Sequence, residues 1–248
     1  MPPDPSPNSE QELLKKEFYE RPEVVSLYDS SRFGSPVGQW VKQSEEAAIA
    51  RLMAILSSPP GVGLDLPTGT GRMIPLLRRH CPRIIAADLS EAMLSEARKY
   101  GADEYLLADA SQLPLSADSV DFILSSRFIF HVADPKKYFT EVARVLKPGG
   151  GFIFDAYNWT PKAWFPGAQR KWGGRMFTHS RDTIEAWAQA NGCSLIASEG
   201  VFLLPPLLYL QLPFFLVRII EKLGPHLLGA RRTKTYYLLQ KRPSRKGA

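Results

Sequence analysis

The sequence has little cysteine and no uninterrupted apolar stretch long enough to span a membrane. Cys81 and Cys193 are its two cysteines, and they lack the close spacing of a metal site. Two isolated thiols indicate a reducing compartment without a disulfide framework, so we expect both to be structural and the protein to be cytoplasmic. Residues 200–217 carry no charge, but three prolines interrupt them, and their first part is needed as a strand. We therefore expect peripheral contact with a membrane at most.

Short motifs of several enzyme classes are also missing. The sequence has no Gly-Lys-Ser or Gly-Lys-Thr phosphate loop, which argues against an ATPase. It has no Pro-Cys pair to supply a cysteine nucleophile, and no acidic trio suited to a catalytic magnesium ion. We therefore expect no metal site.

The two ends of the sequence differ in composition from the middle. Residues 1–11 are rich in proline, serine and acid and hold no apolar run, so we expect a disordered tail and no secretory signal. Residues 201–248 hold nine of the 31 basic residues but one of the 25 acidic residues, so the net charge of +6 comes from this part. We expect a single domain over residues 12–242, followed by a basic tail, residues 243–248.

A short segment near residue 65 points to a nucleotide site. An apolar strand ends at Asp65, a turn carries Gly69 and Gly71, and a helical pattern follows over residues 73–77. Glycine permits positive φ and a close approach of ligand atoms to the backbone. The free N–H groups at the start of a helix favour anionic groups. Strand, glycine turn and helix together predict a nucleotide-binding crossover.

Two further acids repeat the position of Asp65. Asp88 follows the apolar run 84–87, and Asp109 follows the run 105–108. The carboxyl ends of parallel strands form the edge at which open α/β sheets bind ligands. Asp88 is placed to accept both hydroxyls of a ribose, and Asp109 to bind an adenine amino group. A single Asp is more often a turn or cap residue, but three that close successive strands favour an adenosine site.

Apolar runs alternate with helical patterns along the rest of the chain. Further runs lie at residues 120–124, 152–154, 194–197 and 235–240, and helices are predicted after Ser44, Ser90, Asp134 and Ser180. The helix after Ser44 is expected to reach about Leu56. This alternation predicts an α/β fold with a doubly wound, mostly parallel sheet.

These residues resemble the class I S-adenosylmethionine-dependent methyltransferases, in particular the small-molecule branch that includes quinone-biosynthesis methyltransferases. The resemblance covers residues 45–158 and is carried by Asp65, Gly69-Thr70-Gly71, Asp88, Asp109-Ala110 and the Leu-Lys-Pro-Gly-Gly sequence at 146–150. It implies a seven-stranded Rossmann-like sheet whose last strand is antiparallel and is joined to the strand before it by a short hairpin. In this chain we expect N-terminal helices before the sheet, and a helical insert in place of that hairpin. The chain departs from the family at Pro67 and Thr68, where relatives have Gly and a small residue, and Pro67 removes one backbone N–H.

The resemblance also implies a function and a set of site residues. It implies an enzyme that transfers a methyl group from its cofactor, S-adenosylmethionine, by in-line SN2 displacement to a small, hydrophobic, lipid- or quinone-like acceptor. The residues implied to bind the cofactor are Tyr28, Asp65, Thr68, Gly69, Thr70, Gly71, Asp88, Leu89, Met93, Asp109, Ala110 and Ser126. His131 is the candidate general base, and a packing role is the alternative.

Residues 204–232 form an apolar and basic insert before the last strand. After Pro213 the spacing predicts an amphipathic helix, with Leu216, Ile219, Ile220 and Leu223 on one face and Arg218, Glu221 and Lys222 on another. Insert 204–232 and the aromatic, basic stretch 159–179 both leave from the sheet edge expected to hold the cofactor. The hypothesis is a hydrophobic acceptor that is taken from, or presented at, an anionic membrane surface. The alternative is that both segments cap the core.

Three other functions stay open. An RNA methyltransferase would use the basic C-terminus. However, Ser125-Ser126-Arg127 stands where amino-methylating nucleic-acid enzymes carry Asn or Asp with two prolines, so we expect no nucleic acid partner. A non-catalytic relative would bind the cofactor and serve as an assembly partner, which the Pro67 departure allows. An NAD-dependent oxidoreductase would use the same crossover, but the glycine turn lacks a third glycine and Asp109 would have no role. The sequence does not indicate an oligomeric state.

Overall fold

The computed structural model describes residues 19–159, 176–228 and 232–243. The predicted tail 1–11 lies outside the described residues, as do most of the stretch 159–179 and most of the basic tail 243–248. The described residues form seven strands: β1 (Val62–Asp65), β2 (Arg83–Asp88), β3 (Glu104–Leu107), β4 (Val120–Ser125), β5 (Leu146–Tyr157), β6 (Cys193–Val201) and β7 (Lys234–Lys241).

The strands form one sheet in the order β3-β2-β1-β4-β5-β7-β6. β7 pairs antiparallel with β5 and β6, and the other pairs are parallel. The chain runs outward from β1 to β3 and then crosses back to β4. A ligand crevice is expected at this reversal, beyond the carboxyl ends of β1 and β4. The predicted Rossmann-like fold with one antiparallel strand is confirmed.

Helices cover both faces of the sheet. They are α1 (Pro22–Phe33), α2 (Pro36–Met53), α3 (Ile74–Leu77), α4 (Glu91–Ala97), α5 (Lys136–Val145), α6 (Arg181–Ala190), α7 (Pro206–Tyr209) and α8 (Phe214–Leu228). Successive residues of a strand point to opposite faces. Phe122 of β4 thus packs in one layer with α2 and α3, while Ile123 packs in the other with α5 and α6.

Of the four predicted helix starts, three are confirmed and one is wrong. α5 begins at Lys136, directly after Asp134-Pro135. Ser90 and Ser180 cap α4 and α6, because each side chain accepts the backbone N–H three residues on. Ser44 caps nothing, since it lies inside α2, which begins at Pro36 and ends at Met53. Ser35 is the cap of α2, and Pro36 directly after it has the fixed φ that suits a first helical residue.

The predicted helix after Pro213 is confirmed as α8, but its predicted faces are wrong. Glu221 turns towards the protein, where Oε1 accepts the N–H of Leu203 at 2.7 Å and the hydroxyl of Tyr209. Because these bonds fix the rotation of the helix, Ile219 and Leu223 lie outward and exposed. No helix in the described part of the chain is long and apolar enough to cross a membrane.

Both cysteines are free and buried. Burial raises the pKa of the Cys81 thiol to about 12 and also raises that of Cys193. Neither thiol is therefore a reactive thiolate near neutral pH, which agrees with the structural role expected from the sequence.

Candidate functional site

A cavity of about 510 Å³ opens at the carboxyl edge of β1, β2 and β4. Thirteen residues were singled out from the sequence, and all except Gly71 line this cavity. Those that line it are Tyr28, Asp65, Thr68, Gly69, Thr70, Asp88, Leu89, Met93, Asp109, Ala110, Ser126 and His131. The fold therefore brings residues from five separate segments of the chain to one place.

The glycine turn connects the first two acids through hydrogen bonds. The hydroxyl of Thr68 donates to Asp65 Oδ2 at 2.7 Å, and the N–H of Gly69 donates to Asp88 Oδ2 at 2.8 Å. Gly69 has a φ of +55°, which a residue with a Cβ rarely adopts. The turn after β1 thus holds both carboxylates at the cavity wall.

Gly71 has a structural role in this turn. Its φ is +82°, and a Cβ placed there would lie 2.9 Å from Ala97 Cβ and 2.9 Å from the Tyr100 ring. The missing side chain lets the turn pack against the end of α4. Gly71 therefore acts on the site through packing, which explains why it is absent from the cavity lining.

Burial disfavours the charged forms of both strand-end acids. It raises the pKa of Asp65 to about 7, although the Thr68 hydroxyl and the Arg72 guanidinium oppose the shift. Burial also raises the pKa of Asp88, against the backbone N–H groups of Ser90 and Gly69. Two desolvated carboxyls at one wall favour a ligand that brings positive charge or hydroxyl donors.

Asp109 lies at the rim of the cavity and beyond the end of its strand. β3 ends at Leu107, so the predicted run 105–108 extends one residue too far. Asp109 Oδ1 accepts the N–H of Ser111 at 2.7 Å and its hydroxyl at 2.8 Å. These bonds close a tight turn, which competes with continued pairing of the strand.

The N-terminal segment covers the cavity from the other side. The hydroxyl of Thr70 donates to the carboxylate of Asp29 in α1, with oxygen distances of 3.0 and 3.1 Å. The Arg32 guanidinium lies 3.7 Å from the centre of the Tyr28 ring. Tyr19, which sequence reasoning missed, lines the cavity, and its carbonyl accepts the hydroxyl of Ser90 at 3.0 Å.

Aromatic residues form the wall beyond β4. Phe128, Tyr138 and Phe177 line the cavity, and the N–H of Phe177 donates to the carbonyl of Phe130 at 2.8 Å. The ring of His131 lies edge-on to the ring of Tyr19, with their centres 6.3 Å apart. This wall offers apolar surface to a ligand, with the imidazole at its margin.

A buried group of charges adjoins the cavity, and sequence reasoning missed it. Lys234 Nζ lies 2.8 Å from Glu45 Oε1 and 2.9 Å from Asp155 Oδ2. Glu45 Oε2 lies 3.0 Å from Arg72 Nη2, and Glu45 Oε1 lies 3.7 Å from Arg127 Nη1. Arg72 and Arg127 also line the cavity. We call these five residues the buried charge cluster; it holds three cations and two anions.

The cluster keeps the Glu45 carboxylate ionised despite complete burial. Burial alone raises the pKa of Glu45, but Lys234, Arg72 and Arg127 outweigh it and hold the pKa at about 2. Burial likewise opposes the charge of Lys234, while Asp155 and Glu45 raise its pKa well above the usual value. A sequence signal existed for two members, because Glu45 interrupts the apolar face of α2 and Asp155 interrupts the apolar part of β5.

A known family model matches the central part of the chain. Residues 64–154 match the model of the family described as Methyltransferase domain. This segment is a methyltransferase domain. The resemblance to class I S-adenosylmethionine-dependent methyltransferases is confirmed for it.

Curated relatives match about half of the chain. The demethylmenaquinone methyltransferase of Clavibacter sepedonicus is 36% identical over 146 residues, which cover 56% of this chain and 57% of that protein. The malonyl-[acyl-carrier protein] O-methyltransferase of Marinomonas sp. is 37% identical over 133 residues, 49% of either chain. The chain thus spans about half the length of the curated relatives it matches.

Solved structures share the fold across most of the chain. A possible histamine N-methyltransferase from Thermotoga maritima has a TM-score of 0.64 at 20% identity, covering 92% of this chain and 100% of that one. The magnesium protoporphyrin IX methyltransferase of Synechocystis, solved with bound SAH, has a TM-score of 0.63 at 16% identity and covers 93% and 99%. At these identities the similarity shows the fold alone.

Proposed function

We propose that this protein transfers a methyl group from S-adenosylmethionine to a small hydrophobic acceptor. The observation that carries the proposal is the meeting of Asp65, Asp88 and Asp109 at one cavity next to a glycine turn. Relatives named for demethylmenaquinone and for ubiquinone and menaquinone biosynthesis support a quinone-like acceptor.

The chemistry of the cavity wall fits the cofactor. S-adenosylmethionine carries an ammonium and a sulfonium group, and the desolvated carboxyls of Asp65 and Asp88 gain from a cation nearby. Asp88 is the residue proposed to accept the ribose hydroxyls, and Asp109 at the rim is proposed to bind the adenine amino group. Of the two glycines in the turn, Gly69 lines the cavity, and nothing lies within 4 Å of the place where its Cβ would be. A ligand can therefore approach the backbone at Gly69, whereas Gly71 packs against Ala97 and Tyr100.

The protein's contribution to the reaction is orientation and exclusion of water. When bound, S-adenosylmethionine supplies an electrophilic methyl group. The aromatic wall of Phe128, Tyr138 and Phe177 is proposed to hold an apolar acceptor beside it, while Tyr19 and Tyr28 close the cavity. His131 is proposed to accept the proton of an acceptor hydroxyl or carbon acid, since it is the imidazole on this wall.

Titration calorimetry with S-adenosylmethionine tests the cofactor part of the proposal. Asp88→Ala removes charged hydrogen bonds worth about 2 to 3 kcal/mol, so we expect the affinity to fall about 30- to 150-fold. Asp182→Ala is the control, because Asp182 is an exposed acid on α6, and its affinity should equal that of the parent protein. Unchanged affinity in Asp88→Ala, or tighter binding of NAD, would contradict the proposal.

Transfer of a labelled methyl group identifies the acceptor class. The protein is incubated with labelled S-adenosylmethionine and separate lipid, RNA and protein fractions. Label in the lipid fraction supports a hydrophobic acceptor. Label in RNA, or binding of the cofactor without transfer to any fraction, would favour one of the alternatives derived from the sequence.

A carboxylic acid acceptor is a second candidate function. The buried charge cluster leaves one positive charge in excess, and Arg72 and Arg127 line the cavity. A relative named malonyl-[acyl-carrier protein] O-methyltransferase supports this reading. Parallel assays with a hydroquinone and with a malonyl thioester distinguish the two candidate functions. A labelled hydroquinone supports the quinone-like acceptor, and a labelled malonyl thioester supports the carboxylic acid acceptor.

A further inference from the structure

The outward side of α8 carries apolar residues, whereas the solvent-facing side of a surface helix usually carries polar ones. Phe215 is 63% exposed, Ile219 48% and Leu223 51%. They follow one another at intervals of four, so they form one stripe along the helix. Leu208 and Leu210, just before α8, are exposed as well. Single exposed apolar residues need no explanation, but a continuous stripe indicates a binding surface.

Two basic residues border this stripe on the same side of the helix. Arg218 and Lys222 are exposed, and neither has an ion pair among the described residues. At about 100° per residue, these two and the three apolar residues together occupy about 140° of the helix circumference. We call this set, Phe215, Arg218, Ile219, Lys222 and Leu223, the outer face of α8.

The acid of α8 is kept away from the outer face. Glu221 Oε1 accepts from Leu203 and Tyr209, and Glu221 Oε2 lies 3.2 Å from Arg232 Nη1. Val217 and Gly224 complete the inner side, where Gly224 packs directly on Leu203. The inward contacts therefore leave an outer face that combines apolar groups with positive charge and no negative charge.

We propose that the outer face of α8 binds the surface of an anionic lipid bilayer. An interfacial helix buries an apolar stripe in the boundary of the acyl chains, and its bordering cations attract anionic headgroups. A second copy of this chain fits less well, because antiparallel pairing of two outer faces would bring four cations together. The proposal concerns binding alone and does not depend on the proposed function.

The position of α8 connects this surface with the cavity. β6 ends at Val201, which pairs with Lys234 of β7. Lys234 also pairs with Tyr157, the last residue of β5. The segment that contains α8 therefore leaves the sheet at its carboxyl edge, which is also the edge of the cavity. Binding through the outer face would bring that edge of the sheet towards the lipid.

Co-sedimentation of the full chain with vesicles tests the proposal without cofactor or acceptor. We expect binding to vesicles of phosphatidylglycerol and phosphatidylcholine, weak binding to phosphatidylcholine alone, and a fall in binding as salt rises. The double variant Arg218→Gln, Lys222→Gln should bind about 10- to 30-fold more weakly. Arg79→Gln with Arg83→Gln changes the net charge equally at the opposite sheet edge, and should bind as the parent does.

A matched pair of isoleucines tests the apolar part of the surface. Ile219 and Ile55 are each 48% exposed, but Ile55 lies after α2 and outside the outer face. Ile219→Ser should weaken vesicle binding severalfold, while Ile55→Ser should leave it unchanged; both should unfold at the temperature of the parent protein. Equal binding by the two variants would overturn the proposal. So would a dimer that Ile219→Ser dissociates, since that would assign the face to a second copy.

Discussion

At the scale of a single residue, Asp65 couples the cavity to pH. Its pKa is about 7 in the folded protein, because burial penalises the carboxylate, and about 4 in an unfolded chain. Between about pH 4 and 7, Asp65 therefore keeps a proton in the folded state that it has lost in the unfolded state. Stability should fall as pH rises through this window and level off above it.

Asp65→Asn tests this coupling, since asparagine keeps the shape without the ionisation. We expect the free energy of unfolding of the parent protein to drop by a few kcal/mol more than that of the variant between about pH 4 and 7, as measured by urea unfolding. A cationic ligand favours the ionised carboxyl, so the affinity of the parent for S-adenosylmethionine should rise from pH 6 to 8. Equal pH profiles of parent and variant would contradict the assignment.

Gly71 and Gly101 separate two costs of replacing a glycine. Both have positive φ, but a Cβ at Gly71 meets Ala97 and Tyr100, whereas one at Gly101 has nothing within 4 Å. Gly101→Ala should cost about 1 to 2 kcal/mol through backbone strain alone. Gly71→Ala adds a steric clash, so we expect a larger loss by thermal or urea unfolding. An equal loss of unfolding free energy in the two variants would show that the turn can shift to accommodate the extra methyl group without disturbing α4.

At the scale of elements, the buried charge cluster joins α2, β5, β7, the turn after β1 and the segment after β4. Lys234→Met leaves Glu45 and Asp155 without their shared cation in a region closed to water. We expect a loss of about 3 to 5 kcal/mol in the free energy of unfolding. Arg83→Met breaks an exposed pair with Glu104 and should cost less than about 1 kcal/mol. Similar losses in the two variants would contradict the importance of the cluster.

The same elements show what a sequence reveals and what it does not. The ends of β1 and β2 were predictable, because Asp65 and Asp88 end apolar runs and a strand is a local pattern. The partners of Lys234 were not predictable from the sequence. Glu45 lies 189 positions away from Lys234, and only the folded protein brings the two together. The rotation of α8 was missed for the same reason. Its apolar spacing allowed several buried faces, and the bonds of Glu221 to Leu203 and Tyr209 selected one.

At the scale of the whole molecule, α1 belongs to the N-terminal segment that covers the cavity. Tyr28 lines the cavity, and Asp29 accepts the hydroxyl of Thr70 from the glycine turn. A ligand that fills the cavity would therefore contact α1 on one side and the glycine turn on the other. Binding should therefore stabilise α1 against local opening more than it stabilises elements distant from the cavity.

Amide hydrogen exchange measures this difference directly. With saturating S-adenosylmethionine, we expect exchange to slow in α1 and in residues 65–73, while α6 keeps its rate because none of its residues line the cavity. Asp29→Asn weakens the contact with Thr70 and should reduce the protection of α1 while leaving that of residues 65–73 largely intact. Protection that appears in the glycine turn but never in α1 would mean that the N-terminal segment lies over the cavity without closing on its ligand.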